Sequence, residues 1–279
     1  MSTLIADSGS TKCEWSLVRN GKEQRVLTQG ISPYFLTAPQ ITSLLEQELL
    51  PHLEGAAVQE IFYYGTGCRS DVNRVLVQKA ILAVFTEATV TVDTDLMGAA
   101  RALCGHNEGI ACILGTGSNS CYYNGEAVVK NSPGLGYILG DEGSGAYLGK
   151  KVIQYYLYKT FDEELLLRFN EKYHTSDAEV LDYVYKKPLA NRYLASFSRF
   201  LAENRGHYMI ENNIEDRLND FFFQHLYKYS ESRSMPVHFM GGIAFNFQDV
   251  LRELCRHYEL QMGHVLRAPM EGLVAYHTF

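Results

Sequence analysis

Three short segments decide the fold: VDTDL at residues 92–96, ILGTGSN at 113–119 and GLGYILGDEGS at 134–144. They place an aspartate after a strand pattern and two glycine-rich loops close behind it. Glycines let the backbone approach a ligand and present its N–H groups to an anion, while hydroxyls and carboxylates between them supply directed hydrogen bonds. The segments therefore favour binding of phosphates and hydroxyls, although GTGSN taken alone is equally typical of a hairpin turn.

A second copy of this pattern stands near the N-terminus. An apolar run at residues 3–6 ends in Asp7, SGSTK follows at 8–12, and two strand patterns at 13–18 and 24–28 are joined through Asn20 and Gly21. Residues 110–130 repeat the order of strand, glycine loop, strand, Asn-Gly turn and strand. Asn-Gly pairs accept the positive φ angles of tight hairpins. The repeat predicts two similar halves, each offering one phosphate loop to a ligand between them.

Strand and helix patterns alternate along the rest of the chain, which predicts an α/β architecture. Helices are predicted from apolar spacing and caps at 39–50, 70–85, 95–103, 147–158, 162–170, 176–185, 189–203, 215–229 and 241–257, with a terminal helix from Pro269. Strands are predicted at 60–64, 89–92, 236–240 and 261–266. Thr94 can cap the helix that begins at Asp95. The helices after residue 144 form a mostly helical insertion in the second half.

Composition narrows the class of protein. The chain has 279 residues, 46% of them hydrophobic and 20% charged, and a formal charge of −7, which argues against a nucleic-acid or anionic-membrane partner. No targeting segment or membrane span is recognisable, so we expect a cytoplasmic protein. Six dispersed cysteines form no C-x-x-C pair and nine histidines lie at no metal-ligand spacing, so no structural metal is predicted.

With five motifs in hand, the chain resembles the actin-like ATPase superfamily of sugar kinases, acetate kinase and actin. The motifs are DSGSTK at 7–12, TD at 94–95, GTGSN at 115–119, GDEGS at 140–144 and MGGI at 240–243. Within it, the match is to the N-acetylglucosamine kinase family, grouped with the ATPase activators of benzoyl-CoA reductase and hydroxyacyl-CoA dehydratase. The motifs span residues 4–276 in the family's order.

The resemblance implies an α/β fold of two actin-like (ribonuclease H-like) domains, each a mixed five-stranded sheet flanked by helices. We expect the first domain at 1–108, with the C-terminal helix 268–279 returning to it, and the second at 109–267 with a helical insertion at about 144–230. ATP and a sugar are expected in the cleft between them.

The resemblance also implies roles for particular residues. Asp7 would hold hydrated Mg²⁺ and Asp95 would be the catalytic base. The phosphate loops would be Gly9, Ser10, Thr11 and Lys12, and Gly115, Thr116, Gly117 and Ser118. Gly241 and Gly242 would bind adenosine. Sugar contacts would come from Ser32, Asp95, Thr116, Asn119 and Asp141. The implied function is an ATP-dependent amino-sugar kinase, acting on a sugar such as N-acetylglucosamine.

Elementary chemistry agrees with these roles. Phosphoryl transfer needs in-line positioning, cation-neutralised phosphates and a carboxylate beside the attacking hydroxyl. The helix dipole favours the ionised form of Asp95. Structural alternatives stay open: Asp95 and Asp141 as helix caps, Asp7 in an Asx turn, and Lys12 as a solvated loop residue.

One departure and two rival functions remain. Ser32 stands where sugar kinases of this type tend to have an asparagine, which leaves the sugar open among glucosamine, N-acylated hexosamines and muramic-acid-like sugars. The attacked hydroxyl, with the primary one favoured, and the oligomeric state, a homodimer included, are also open. The rivals are an iron–sulfur-dependent dehydratase activator, which needs paired cysteines across a two-fold axis, and a sugar sensor without phosphoryl transfer.

Overall fold

A computed structural model describes residues 2–9, 11–53, 55–132 and 134–278. The chain divides into two compact units. Unit 1 comprises Met1–Asn107, Asn124–Val128 and Ala268–Phe279, and unit 2 comprises Glu108–Tyr123 and Val129–Arg267.

Unit 1 contains a mixed five-stranded sheet. Its strands are β1 (Ser2–Ser8), β2 (Lys12–Arg19), β3 (Lys22–Gln29), β4 (Glu60–Gly65) and β5 (Thr89–Thr94), in the order β3-β2-β1-β4-β5. The first three form an antiparallel meander, whereas β1, β4 and β5 run parallel. The carboxyl ends of parallel strands meet at one edge of a sheet. Asp7, near the end of β1, therefore lies at the same edge as the residues that follow β5.

Three helices of unit 1 follow its strands. They are α1 (Ala38–Leu44), α2 (Asp71–Val84) and α3 (Asp95–Cys104). The predicted helix at 39–50 is wrong as a single α-helix, because a π-helical segment (Leu45–Leu49) and a 3₁₀ turn (Leu50–His52) follow α1. Pro51 explains the change, since proline lacks a donor and its ring clashes with the carbonyl four residues earlier.

Alternation along β1 gives unit 1 two apolar layers. Leu4 and Ala6 face the larger core, which also contains Ile41 of α1 and Ile81 of α2. Ile5 faces a smaller cluster with Tyr64, Met270 and Leu273.

Unit 2 repeats the sheet with different helices. Its strands are β6 (Glu108–Leu114), β7 (Ser118–Asn124), β8 (Val128–Ser132), β9 (Val237–Met240) and β10 (Met262–Leu266), in the order β10-β9-β6-β7-β8. Strands β6, β9 and β10 are parallel. The meander β6-β7-β8 has the same strand order as β1-β2-β3, as the sequence repeat predicted. Both fold-class expectations, a mixed five-stranded sheet in each half and flanking helices, are confirmed.

Nine helices are described in unit 2, and most belong to the insertion. They are α4 (Gly136–Leu139), α5 (Gly145–Leu157), α6 (Glu163–Tyr173), α7 (Asp177–Lys186), α8 (Ala190–Ser196), α9 (Ser198–Glu203), α10 (Tyr208–Gln224), α11 (Gly242–Asn246) and α12 (Gln248–His257). Their aromatic content predicts a helix-packing core, and Phe197, Phe200, Phe221 and Phe222 are indeed fully enclosed, as is Phe169, whereas Tyr158 and Phe223 are exposed.

Helix boundaries differ from the predictions at two helices of the insertion, and the helix predicted at 241–257 is divided into α11 and α12 at Phe247. The helix predicted at 215–229 begins at Tyr208, because His207 caps it through Nδ1, which accepts from Met209 N–H at 3.3 Å. The helix predicted at 189–203 is interrupted at Phe197. There Ser198 Oγ donates to the Ala195 carbonyl at 2.7 Å, a side-chain bond that competes with helical hydrogen bonding.

The terminal helix α13 (Met270–Thr278) is part of unit 1. Met270 and Leu273 pack beside Tyr64, and His277 Nε2 lies 2.8 Å from the Tyr64 hydroxyl. Arg101 of α3 also donates to that hydroxyl, at 2.6 Å. Tyr64 thus joins α13 to α3, the helix that begins with Asp95. Across the described ranges, no helix combines the length and apolar character that a membrane span requires.

Candidate active site

The first glycine loop joins β1 to β2 in unit 1. Gly9 N–H donates to the Lys12 carbonyl at 3.0 Å, which closes a tight turn. Ser10, predicted in this loop, lies outside the described residues; Thr11 is exposed. Gly30 presses against the loop, because a Cβ there would lie 2.3 Å from Gly9 O and 2.4 Å from Thr11 N. The sequence analysis assigned no role to Gly30. The feature that could have indicated one is the position of this glycine directly after the third strand of the meander.

Asp7 lies beside this loop in an environment that disfavours its charge. The pKa of Asp7 is raised from 3.8 to about 7, mainly by burial and then by the charges of Asp95 and Glu14, while Lys12 opposes these effects. Asp7 pairs with Glu14 on β2 and with Tyr64 on β4, so these side chains share one face of the sheet. The structure therefore brings Asp7 and Asp95 into the same electrostatic environment.

Asp95 is the first residue of α3. Thr94 caps the helix by accepting from Met97 N–H at 3.1 Å, and Asp95 Oδ1 accepts from Leu96 N–H at 2.9 Å. Burial raises the pKa of Asp95 above its ordinary value, while hydrogen bonds from backbone N–H groups act in the opposite direction. The cap belongs to Thr94, which leaves the Asp95 carboxylate available to a ligand.

The residues of unit 1 fit a hydrated magnesium ion. Mg²⁺ keeps several waters and binds through one or two carboxylates together with phosphates. Asp7, crowded by Asp95 and Glu14, is a carboxylate whose ionised form a cation would stabilise. Within the part of the chain that the structure describes, no group of three or more metal-ligating side chains converges on one point. A water-mediated ion held partly by phosphates fits this donor set.

The second glycine loop joins β6 to β7 in unit 2. Gly115 N–H donates to Gly117 O at 3.0 Å, and Gly145 N–H at the start of α5 donates to Gly115 O at 2.8 Å. Thr116 is exposed. Ser118 Oγ is buried, and it has no hydrogen-bond partner among the residues described. A buried hydroxyl without a partner is costly, so this atom fits a polar ligand group such as a phosphate oxygen.

Asp141 and Asn119 lie beside this second loop. Asp141 is 9% exposed with φ at 58°, and its Oδ2 lies 2.9 Å from the place where a Gly117 Cβ would stand. Burial raises the pKa of Asp141, backbone N–H groups of Ser118 and Gly136 lower it, and Glu142 raises it. Asn119 Oδ1 accepts from Ser120 N–H and from Asn131 Nδ2, both at 2.9 Å, so its amide nitrogen is the group suited to donate to a ligand.

The two glycines predicted to bind adenosine follow β9. Gly241 has φ at 117°, and a Cβ there would lie 2.3 Å from Leu114 O. Its N–H donates to Leu266 O at 2.9 Å. Gly242 begins α11 and has open space where a Cβ would be. Unit 2 therefore places this loop directly against the base of the second glycine loop.

Ser32 is in unit 1, and it is 3% exposed. Its carbonyl accepts from Phe35 N–H and from Leu36 N–H, both at 3.0 Å. Ser32 therefore begins a tight turn in which its carbonyl is already satisfied.

The two units together define the class of protein. Two mixed sheets, each with a glycine loop in a β-hairpin, are the actin-like ATPase fold, and solved structures of that fold match at TM-scores of 0.50–0.52 with 11–12% identity, which shows the fold alone. No family model matches the chain.

Comparison with single proteins identifies the family. A solved protein of Porphyromonas gingivalis, provisionally described as an N-acetylglucosamine kinase, is 39% identical, covers 99% of this chain and 98% of its own, and has a TM-score of 0.94. The chain belongs to this N-acetylglucosamine kinase family. A second solved protein, from Chromobacterium violaceum and described in the same way, has a TM-score of 0.72 at 17% identity, with 99% of this chain and 98% of its own covered.

A curated relative agrees over a shorter stretch. The N-acetylmuramic acid/N-acetylglucosamine kinase of Clostridium acetobutylicum is 35% identical over 101 residues. The match spans 33% of this chain and 32% of that protein, about a third of each.

Proposed function

We propose that this protein is an ATP- and magnesium-dependent kinase that transfers the γ-phosphoryl group to a hydroxyl of an amino sugar. N-acetylglucosamine is the first candidate substrate, and its primary hydroxyl is the favoured acceptor. The observation that carries the proposal is full-length identity of 39% with the Porphyromonas gingivalis protein. Independent support comes from the raised pKa values of the carboxylates Asp7 and Asp95 and from the buried Ser118 hydroxyl that lacks a partner.

Asp95 is the proposed catalytic base. Burial raises its pKa, whereas the backbone N–H groups at the start of α3 favour the ionised carboxylate. A base whose pKa is raised toward the working pH accepts a proton more effectively and is still ionised. Asp95 would orient the sugar hydroxyl and take its proton as the bond to phosphorus forms.

The phosphates are the proposed ligands of the two glycine loops. Backbone N–H groups of the first loop and the hydroxyls of Thr11 and Ser118 are suited to phosphate oxygens, and Lys12 supplies a positive charge. Asp7 would hold Mg²⁺ through water, and the bound ion neutralises phosphate charge. Gly241 and Gly242 would let the adenosine approach the backbone.

The sugar is proposed to bind Thr116, Asn119 and Asp141 of unit 2, with Ser32 and Asp95 from unit 1. The Asn119 amide offers a donor and the Asp141 carboxylate offers acceptors, which together suit the hydroxyls and the acylamino group of a hexosamine. The curated relative acts on both N-acetylmuramic acid and N-acetylglucosamine, so the acyl sugar is the expected preference over free glucosamine.

The rival functions are not favoured. An iron–sulfur cluster would need exposed paired cysteines, but Cys104 and Cys121 are buried. None of the six cysteines in the described part of the chain belongs to a disulfide, which suits a reducing compartment, so a cytoplasmic location is part of the proposal. A sensor that had lost catalysis would have no need for two carboxylates with raised pKa values. We expect no nucleic-acid or membrane partner; a homodimer is compatible with the fold.

A coupled ADP-release assay tests the proposal. Purified protein with Mg²⁺ and ATP is offered N-acetylglucosamine, N-acetylmuramic acid, glucosamine and glucose in parallel. We expect sugar-dependent ADP release with an acetylated amino sugar and only background release with glucose. ADP release that is independent of every sugar, or iron bound in stoichiometric amounts, would contradict the kinase assignment.

A further inference from the structure

A buried polar network connects two of the proposed sugar ligands in unit 2. His225 stands at its centre, at the C-terminal end of α10, and is 4% exposed. Its Nε2 lies 3.0 Å from Glu142 Oε2, and its Nδ1 lies 2.9 Å from Ser132 Oγ. The Glu142 carboxylate can only accept, so Nε2 carries a proton; Nδ1 pairs with the Ser132 hydroxyl, which can donate or accept.

The network continues from Ser132 toward Asn119. Ser132 N–H donates to the Tyr229 hydroxyl at 2.6 Å, and that hydroxyl donates to the Ser120 carbonyl at 2.9 Å. Ser120 Oγ completes the group by donating to the Tyr229 oxygen at 3.0 Å. All of these side chains are buried, and each donor and acceptor just described has a partner. Fully satisfied buried networks rigidify the elements that they join.

Each end of the network is a residue directly adjacent in sequence to a proposed sugar ligand. Glu142 is the next residue after Asp141, and Ser120 is the next residue after Asn119. Asp141 holds φ at 58°, a left-handed conformation that a non-glycine residue keeps only when its surroundings enforce it. The bond from Glu142 to His225 is one of the contacts that hold this segment.

The geometry points to His225 as a positioning residue that, through Glu142 and Ser132, fixes Asp141 and Asn119 relative to each other and thereby sets affinity for the sugar. This inference rests on the proposed function and adds a residue to it. His225 touches neither the sugar ligands nor the loops that bind phosphate. Its loss should therefore weaken sugar binding and leave ATP binding unchanged.

The test compares two histidines at opposite ends of one helix. His225→Phe keeps a ring that can stack on Phe221, 4.9 Å away between centroids, but removes both hydrogen bonds. The matched control is His207→Phe, because His207 also pairs with a carboxylate, Asp162, at 2.8 Å, at the other end of α10. We expect His225→Phe to raise the sugar KM about tenfold, within the effect of unpairing a buried polar group, with the ATP KM changed less than twofold. His207→Phe should change neither constant.

A second pair of variants guards against loss of folding. Glu142→Gln keeps an oxygen that accepts from His225, whereas Glu142→Leu does not, and the Glu142 side chain is 19% exposed, so both should fold. Glu142→Gln should keep the sugar KM within about threefold of the parent, and Glu142→Leu should reproduce the rise seen in His225→Phe. A lower melting temperature with an unchanged sugar KM, or equal rises in the sugar and ATP KM, would overturn the inference.

Proton NMR separates this inference from the proposed function. The hydrogen-bonded Nε2 proton of His225 should give a downfield resonance in the parent protein, absent in His225→Phe and displaced in Glu142→Leu. Failure of the parent to phosphorylate any sugar would defeat the proposed function while leaving this resonance in place. Absence of the resonance, with sugar turnover intact, would defeat the network alone.

Discussion

The two glycine loops share a hairpin pattern but have different surroundings. The loop of unit 1 lies beside two carboxylates, Asp7 and Asp95, whose pKa values are raised mainly by burial. The loop of unit 2 lies beside a buried hydroxyl, Ser118 Oγ, and beside Asp141, whose pKa is raised by burial and held back by hydrogen bonds from two backbone N–H groups. One half concentrates negative charge and the other concentrates directed hydrogen bonds. We expect substitutions in unit 1 to act on kcat and those in unit 2 to act on KM.

The largest effect is expected at Asp95. Asp95→Asn keeps the shape of the side chain and its place at the start of α3 but removes the proton acceptor. Loss of a general base costs about 10²–10⁴-fold in rate, so we expect kcat to fall by that range with the sugar KM nearly unchanged. Steady-state ADP release measures both.

Asp93→Asn is the matched control for Asp95. Asp93 Oδ1 accepts from Thr94 N–H at 2.7 Å, so it is a carboxylate two residues away with a local structural partner. The asparagine oxygen can accept the same bond, and kcat should change less than threefold. Equal losses in the two variants would show that Asp95 acts through charge or stability rather than as the base.

The next effect is expected at the glycines that press on each loop. Gly30→Ala would place a Cβ 2.3 Å from Gly9 O, and Gly241→Ala would place one 2.3 Å from Leu114 O at φ of 117°. Overpacking costs about 1–3 kcal/mol and left-handed strain a similar amount. We expect Gly30→Ala, which only overpacks, to lower the free energy of unfolding by about 1–3 kcal/mol, and Gly241→Ala, which adds both costs, by about 2–6 kcal/mol, measured by denaturant melts.

Gly242→Ala is the control for Gly241→Ala. No heavy atom lies within 4 Å of the added Cβ, so stability should change by less than about 0.5 kcal/mol. If Gly242→Ala destabilised the protein as much as Gly241→Ala, the close approach of Gly241 to β6 would not be the cause.

The third effect concerns pH and Asp7. The folded protein holds the Asp7 proton up to about pH 7, whereas an aspartate in the unfolded chain has a pKa of 3.8. Stability from the protonated carboxyl is therefore present below about pH 4 and is lost as pH rises through 7. As the pH rises from about 5 to about 8 without Mg²⁺, the melting temperature should fall more in the parent than in Asp7→Asn.

Magnesium reverses that trend because a bound cation favours the ionised carboxylate. We expect apparent Mg²⁺ affinity to rise with pH through 7 in the parent and to lose this dependence in Asp7→Asn. Asp71→Asn, which changes an exposed carboxylate paired with Arg74, is the control. A parent and an Asp7→Asn variant with parallel pH profiles would remove Asp7 from the magnesium site.

Much of the fold was predictable because the decisive signals are local. Strand alternation, the Asn-Gly turns and the caps at Ser70, Thr94 and Ser144 depend on neighbouring residues, and Ser144 Oγ does accept from Tyr147 N–H at 3.1 Å. The resemblance named the fold and the family, both confirmed by the comparisons. The helix breaks at Phe197 and Phe247 were not predicted, because the apolar spacing continues across both residues.

The supporting residues of the site could not be predicted. Gly30 follows β3, and Gly241 follows β9, yet what each glycine touches is set by strands far away in sequence. His225 is separated from Glu142 by 83 positions and from Ser132 by 93. A sequence gives no sign of such a pairing, because each residue alone is typical of a helix end or a loop. The roles carried over from the family stay predictions.

The smallest effect is expected at Ser32, and it bears on which unit sets sugar affinity. Ser32 is 3% exposed and its carbonyl already accepts two backbone N–H groups, so Ser32→Ala removes one enclosed oxygen. The sugar KM should change less than about threefold, or roughly 0.6 kcal/mol.

Asp141→Asn, by contrast, should raise the sugar KM about tenfold or more, since hydrogen bonds to charged groups contribute about 1.5–3 kcal/mol. Michaelis constants for N-acetylglucosamine and glucosamine, measured on both variants, show which unit sets the affinity for the sugar. A tenfold rise in Ser32→Ala, or a reversed preference between the two sugars, would move sugar recognition into unit 1.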